Sequence, residues 1–323
     1  MTAPVPLAEL HCHLEGAARP ELVRRLARRH DVDLSHVFDA DGLYRQGDFS
    51  LFLQTYDEVV EVFKTPEDYA DLAADHYTAL AEQGAIYGEV FVSPAHADAL
   101  GIGWPVLIEA IAEGLARATE AHGIEGRVIA TGVRHYGPES VEEAARTVVA
   151  HPHPLVTGFG LAGDERMHVA DEFVPAFDIA REAGLGLTAH AGEHAGAPSV
   201  ANALDWLRVQ RIGHGVRAAE DEGLVDRLVA ERIVLEVCPG SNLALGVYDD
   251  PADHPVGRLW DAGARVTLNS DDPPFFATTL ADEYRFARDA KGFSDDDLRE
   301  VTRTALEAAF VDEPTRARLL AKL

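Results

Sequence analysis

The chain has 323 residues, of which 47% are hydrophobic and 26% are charged, so it is long enough to bury a large core. This balance is typical of a globular protein and argues against extended disorder. The formal net charge of −27 at pH 7 argues against nucleic acid or an anionic membrane as a partner, because phosphate groups are bound mainly by clustered Lys and Arg. A neutral or cationic small molecule is the expected partner.

Two features predict a cytoplasmic location. The only cysteines, Cys12 and Cys238, both lie in apolar stretches, which favours buried, reduced thiols over a disulfide framework. The first residues lack the basic and apolar segments of a signal peptide, and no apolar run approaches the length of a membrane span.

The first informative stretch is Glu9-Leu-His-Cys-His-Leu-Glu15. In an extended strand alternate side chains share a face, so we expect His11, His13 and Glu15 to point the same way. Two imidazoles two residues apart can hold a metal ion from one side. Taken alone this is a weak signal, and it depends on further ligands from other strands.

Helical and strand-like segments alternate along the rest of the chain. The predicted helices cover residues 20–30, 48–64, 66–83, 106–122, 140–150, 173–183, 200–207, 224–231 and 256–262, with a last helical region after Ser294. The predicted strands cover 86–92, 128–133, 156–161, 185–190, 211–214, 233–237 and 266–269. Capping boxes are predicted at Ser140 with Glu143 and at Ser294, and a helix start at Thr65.

Together with the opening stretch this gives eight strands separated by helices, with extra helices between the first strand and the second. Such alternation predicts parallel pairing. Even spacing along one chain favours a (β/α)8 TIM barrel of the α/β class over a doubly wound sheet, and the sequence has no Gly-x-Gly-x-x-Gly turn. We expect a single domain over residues 1–323.

In such a barrel the chemistry lies at the C-terminal ends of the strands. Polar residues are concentrated there: His11 and His13, His190 to Glu193, His214, and Asn269 to Asp272. Separately, these histidines could be hydrogen-bonded core residues. As a set, three histidines and a carboxylate suit zinc, which lowers the pKa of a bound water towards about 7. None of the three lysines falls in a predicted strand, so no carbamylated lysine is available to bridge two metals, and one metal is favoured.

Six motifs extend this pattern: His11-Cys-His-Leu-Glu-Gly16, Leu161-Ala-Gly-Asp-Glu165, His190-Ala-Gly-Glu193, Arg211-Ile-Gly-His-Gly215, Cys238-Pro-Gly-Ser-Asn242 and Asn269-Ser-Asp-Asp-Pro273. In this order they resemble the motifs of the adenosine deaminase family of the amidohydrolase superfamily. They span residues 11 to 273, nearly the whole predicted barrel.

The resemblance implies one Zn²⁺ ion bound by His11, His13, His190 and Asp271. It implies that Glu193 protonates the purine ring nitrogen N1 while a water activated by zinc attacks C6, with His214 orienting that water and Asp271 also serving catalysis. It implies further that the substrate is contacted by the residues His13, Glu15, Gly163 and Asp272.

The substrate is less well defined by the sequence. Glu15 stands where nucleoside deaminases of this family typically have aspartate, and glutamate is more usual in relatives that take free adenine or other purine derivatives. The aromatic residues Phe49 and Phe52 predict first a core stripe, with a wall of the substrate pocket as the alternative. We expect adenosine or 2'-deoxyadenosine as substrate, with adenine or aminodeoxyfutalosine as alternatives and a non-catalytic purine-binding protein as the alternative of another class. The sequence leaves the oligomeric state open.

Overall fold

The computed structural model describes residues 5–323, and its centre is a parallel sheet of eight strands in sequential order β1 to β8. The strands are β1 (Leu7–Glu9), β2 (Ala85–Val92), β3 (Glu125–Val133), β4 (Val156–Ala162), β5 (Gly186–Ala191), β6 (Arg211–His214), β7 (Val234–Val237) and β8 (Arg265–Leu268). Helices separate them, as in a TIM barrel, which confirms the predicted fold class.

Most of the predicted helices begin and end close to their predicted positions. They are α1 (Pro20–His30), α2 (Phe49–Val60), α3 (Pro66–Glu82), α4 (Pro94–Ala99), α5 (Trp104–His122), α6 (Pro138–Ala150), α7 (Val174–Glu182), α8 (Ala197–Asn202), α9 (Glu222–Glu231), α10 (Pro239–Ala244), α11 (Val256–Asp261), α12 (Leu280–Lys291), α13 (Asp295–Ala308) and α14 (Glu313–Leu320). However, α8 begins and ends earlier than the predicted 200–207, and α4, α10 and α12 were not predicted. As predicted, α1, α2 and α3 lie between the first strand and the second.

The predicted caps fare differently. Thr65 and Ser294 both form capping boxes at the starts of α3 and α13, as the sequence indicates. The box predicted at Ser140 with Glu143 is wrong, because α6 already begins at Pro138 with Gly137 as its N-cap. Proline is well suited to the first helical turn, where its missing N–H costs no hydrogen bond, so the N-cap lies three residues earlier than predicted.

The barrel closes where the segments after β1 and β8 meet. The Asp271 N–H donates to the His11 carbonyl at 3.0 Å, and the His13 N–H donates to the Asp271 carbonyl at 3.0 Å. Cys12 and Asp271 form an isolated parallel bridge at this point. The predicted strand Glu9–Glu15 is therefore too long: β1 ends at Glu9, single bridges follow, and Glu15 begins a short 3-10 helix.

Buried ion pairs fill the barrel interior below this closure. The Arg211 guanidinium lies 2.7 Å from Glu89 Oε2 and 2.6 Å from Glu236 Oε1, and all three side chains are buried. Glu89 also accepts a hydrogen bond from the Phe310 N–H at 2.7 Å, and the Phe310 ring lies 3.7 Å from the guanidinium carbon. The arginine thus links β2, β6 and β7 to the segment that follows α13.

Replacing Arg211 by methionine should lower the free energy of unfolding by about 3–5 kcal/mol, because it leaves Glu89 and Glu236 buried without their cation. The matched control is Arg303→Met, which breaks an exposed ion pair with Glu300 and should cost less than about 1 kcal/mol. Urea denaturation followed by circular dichroism measures both values. Equal losses in the two variants would contradict the importance assigned to the buried pairs.

Candidate active site

Four predicted ligands from three separated parts of the chain converge at the C-terminal end of the barrel. His13 Nε2 and His190 Nε2 are 3.2 Å apart. Asp271 Oδ1 lies 3.6 Å from His11 Nε2 and 3.5 Å from His13 Nε2. The described residues contain two overlapping groups of potential ligating atoms: one consists of His11, His190, His214 and Asp271, and the other of His13, Asp271 and Asp272.

Hydrogen bonds on the far side of two imidazoles orient these nitrogens. His11 Nδ1 donates to Glu236 Oε2 at 2.7 Å, and His190 Nδ1 donates to the Leu161 carbonyl at 2.9 Å. Each neutral ring then carries its proton on Nδ1 and directs the Nε2 lone pair into the site. Consistent with this, His11 Nε2 is buried without a hydrogen-bond partner.

The electrostatic environment also suits a cation. Burial, reinforced by neighbouring histidines, lowers the pKa of His11, His13 and His190 well below the ordinary value, so the rings are neutral. Burial raises the pKa of Asp271 to about 6. Neutral imidazoles and a carboxylate are suitable ligands for a borderline metal ion. This buried group could therefore hold a metal.

His214 lies beside these ligands, as predicted. Its Nε2 is 3.6 Å from Glu193 Oε2 and 3.9 Å from Asp271 Oδ2. His214 and Asp271 both have left-handed backbone conformations, with φ of 58° and 63°. Such conformations are uncommon outside glycine and cluster at functional sites, where the surrounding structure enforces them.

Glu193 is held by a carboxylate to which the sequence analysis gave no role. Glu165 accepts hydrogen bonds from four consecutive backbone N–H groups after β5, those of residues 192 to 195, at 2.5 to 3.0 Å. This arrangement fixes the loop that carries Glu193. Burial, followed by the nearby Asp271 and Glu165, raises the pKa of Glu193 well above its ordinary value, which favours the protonated form of the carboxyl group.

Asp272 and Gly163, both predicted to contact substrate, lie in the same pocket as the ligands. Burial and the adjacent Asp271 raise the pKa of Asp272 well above its ordinary value. Gly163 has a φ of +97°, and a Cβ there would lie 2.7 Å from His135 Nδ1. A side chain at this position is excluded by both conformation and space.

Glu15 also lines the pocket, although it does so from the 3-10 helix and not from the predicted strand. It is buried, and its two carboxylate oxygens each accept a hydrogen bond at 3.4 Å, one from the Tyr56 hydroxyl and one from the Tyr69 hydroxyl. Burial raises the pKa of Glu15 to about 7, although the hydrogen bonds oppose this rise. The carboxyl group therefore has a fixed position in the pocket wall.

The first turns of α2 form another part of this wall. Phe49, Phe52, Leu53 and Tyr56 all line the pocket, whereas the buried residues Thr55, Val59 and Val60 face the core. The pocket alternative is therefore confirmed for Phe49 and Phe52, although Phe52 also packs against the core, as the preferred prediction had it. Helical periodicity could not distinguish the two, because a pocket wall and a core face both require apolar side chains.

Other contacts in the site carry no strong sequence signal. The polar residues Ser93, His96, Thr131 and His135 line the pocket from β3 and from the segments that follow β2 and β3. The pocket thus combines apolar and polar side chains around a buried group of potential metal ligands.

No helix of residues 5–323 is long and apolar enough to cross a membrane.

Comparison with known proteins agrees with this geometry. The family model described as adenosine deaminase matches residues 6–323. An adenine deaminase from Sinorhizobium medicae is 57% identical over 323 residues, which cover 100% of this chain and 99% of that protein.

Two solved structures are also similar. The crystal structure of an adenine deaminase from Arthrobacter aurescens superposes with a TM-score of 0.90 at 32% identity, over 99% of this chain and 98% of that chain. An amidohydrolase from Burkholderia ambifaria with bound zinc gives a TM-score of 0.90 at 26% identity, over 98% of this chain and 89% of that chain. The resemblance read from the six motifs is confirmed. The chain belongs to the adenosine deaminase family and is a hydrolase that deaminates an aminopurine.

Proposed function

We propose that this protein is an adenine deaminase, which hydrolyses adenine to hypoxanthine and ammonia with one zinc ion per chain. The relatives support free adenine as the substrate: adenine deaminases 53–57% identical to this chain match it over its full length. The sequence alone favoured adenosine or 2'-deoxyadenosine. The comparisons support the adenine alternative better, and they give no such support to aminodeoxyfutalosine or to a protein without turnover.

The observation that carries this proposal is the position of Glu15. Free adenine has an N9–H donor, whereas in a nucleoside N9 is bonded to the sugar. A buried carboxylate held by Tyr56 and Tyr69 can accept a hydrogen bond from N9–H. A nucleoside has no N9–H to donate to this carboxylate and would place a sugar against it, which costs binding energy.

The residues that would hold the zinc are His11, His13, His190 and Asp271. The partnerless His11 Nε2 and the close approach of the His13 and His190 nitrogens fit a cation shared among them. When bound, zinc acts as a Lewis acid that lowers the pKa of water towards about 7.

The chain's own side chains supply the remaining chemistry. Glu193, whose pKa is raised by burial, donates a proton to the ring nitrogen N1, so that the ring can accept electrons as C6 becomes tetrahedral. His214 hydrogen-bonds the attacking oxygen, and Asp272 holds the opposite edge of the purine. The Gly163 backbone lets the flat ring approach closely.

The substrate assignment predicts a large difference between free base and nucleoside. We expect kcat/KM for adenine to exceed that for adenosine and 2'-deoxyadenosine by about 100-fold or more, because a site built to bond a donor rejects ligands that lack it. Ammonia release from a panel that also contains adenosine monophosphate and aminodeoxyfutalosine measures this. Equal or better turnover of a nucleoside would overturn the adenine assignment but leave the family intact.

The Glu193→Gln variant should keep its zinc but lose about 10²- to 10⁴-fold in kcat, because an amide cannot donate an acidic proton to N1. Steady-state kinetics with adenine, together with metal analysis of the purified protein, tests this. Glu182→Gln, which changes an exposed carboxylate at the end of α7, is the matched control and should behave as wild type. Near-normal activity in Glu193→Gln would show that another group is the acid.

Removal of the metal should abolish activity and lower the melting temperature, because a ligand bound only to the folded state stabilises it by mass action. Dialysis against a chelator, followed by calorimetry and an ammonia assay, provides both readouts, and stoichiometric Zn²⁺ should restore both. Full activity in protein shown by metal analysis to be free of metal would contradict the zinc assignment.

A further inference from the structure

Three buried side chains, His254, Asn242 and His214, form a hydrogen-bonded series that leads from the loop before α11 to the pocket. His254 Nε2 lies 3.2 Å from Asn242 Oδ1, and Asn242 Nδ2 lies 3.2 Å from His214 Nδ1. All three residues are at most 2% exposed. At its outer end the hydrogen-bonded series begins at the backbone N–H of Val256, whose nitrogen lies 3.4 Å from His254 Nδ1.

The donor and the acceptor of each hydrogen bond in this series can be assigned in only one consistent way. The Val256 N–H can only donate, so His254 Nδ1 accepts and a neutral His254 carries its proton on Nε2. That proton is donated to Asn242 Oδ1, and the Asn242 NH₂ group then faces His214. An amide NH₂ can only donate, so His214 Nδ1 accepts. A neutral His214 must therefore carry its proton on Nε2.

The location of this proton matters because His214 Nε2 faces the reacting groups. It lies 3.6 Å from Glu193 Oε2 and 3.9 Å from Asp271 Oδ2. A proton on Nε2 makes His214 a hydrogen-bond donor there, whereas the other tautomer would present a lone pair. The two tautomers would hold an attacking oxygen in different ways.

We propose that Asn242 and His254 are positioning residues that hold His214 as the Nε2–H tautomer, so that it donates a hydrogen bond to the attacking oxygen. This inference rests on the deaminase function proposed above. Burial, together with the nearby Lys291, lowers the pKa of His254 to about 3, which agrees with a neutral ring at the outer end of the hydrogen-bonded series. Tyr248 and Phe286 pack against the His254 ring but are not members of the hydrogen-bonded series.

The decisive variant is Asn242→Asp, which keeps the size of the side chain but replaces the NH₂ donor by an acceptor. The carboxylate should draw the His214 proton to Nδ1 and leave Nε2 with a lone pair. We expect kcat for adenine to fall by about 10- to 100-fold, the usual effect of losing a partner that orients an active-site imidazole.

The direct readout is nitrogen NMR of zinc-loaded enzyme labelled with ¹⁵N-histidine, with the His214 signals assigned by their loss in His214→Gln. Wild type should show the proton on Nε2, and Asn242→Asp should show it on Nδ1. A pair of variants at the outer end gives the rescue test. His254→Gln retains an N–H donor and should keep the tautomer and kcat, whereas His254→Leu should lose the fixed tautomer and part of kcat.

Tyr248→Phe is the matched control, because it alters packing on the His254 ring but leaves the hydrogen-bonded series intact. Its His214 tautomer and its kcat should match those of wild type. A wild-type proton on Nδ1, or an unchanged kcat after the tautomer has reversed, would overturn the proposal. If no aminopurine is turned over by the wild type, the proposed function fails instead, while the NMR result still decides the tautomer.

Discussion

The backbone pairing between the segment after β1 and the segment after β8 is the constraint on which the site depends. It closes the barrel, and it does so through the residues that carry the predicted ligands. His11 and His13 flank Asp271 because backbone hydrogen bonds join both residues to it. The three side chains are therefore brought together by the backbone alone. A metal bound here would therefore tie together the first and last strands, and its binding energy would be coupled to barrel closure.

A second constraint is the cost of burying so many ionisable groups. The pKa values of Glu193, Asp271 and Asp272 are all raised, mainly by burial, and those of the surrounding histidines are lowered. Both changes favour neutral forms, since an isolated buried charge is costly. A divalent cation reverses this preference for the carboxylate it contacts. The same environment leaves Glu193, which is no predicted ligand, with a proton to donate.

The sequence predicted the barrel well because its evidence was local. Strand and helix periodicities, and the polar residues at strand ends, depend on neighbours within a few positions. They located β2 to β8 correctly, and they picked out polar residues that the fold brings together at one end of the barrel. The opening strand was overestimated for the same reason. Alternation placed Glu15 on a strand, but the turn into the 3-10 helix is set by packing of Gly16 against Asp272, a contact between distant parts of the chain.

The residues that support the site were harder to predict. Glu165 lies in a recognised motif, but its role comes from four N–H groups some thirty residues later in the chain. Likewise, His254 has no motif around it, and its connection to His214 through Asn242 exists only in the folded chain. One sequence indicates which groups can do chemistry, whereas their orientation depends on contacts that only the fold creates.

The turn at Glu15 and Gly16, where the sequence prediction of a strand was wrong, positions residues proposed for substrate recognition on both of its sides. A Cβ at Gly16 would lie 1.5 Å from Asp272 Oδ1, so only glycine allows this turn to pack against the aspartate. The same turn presents Glu15 to the pocket, where Tyr56 and Tyr69 fix it. The carboxylate proposed to recognise N9–H and the Asp272 carboxylate are therefore both positioned beside this one turn. Because both carboxylates line the pocket, a substitution that moved the turn would disturb both of their contacts with the purine at once.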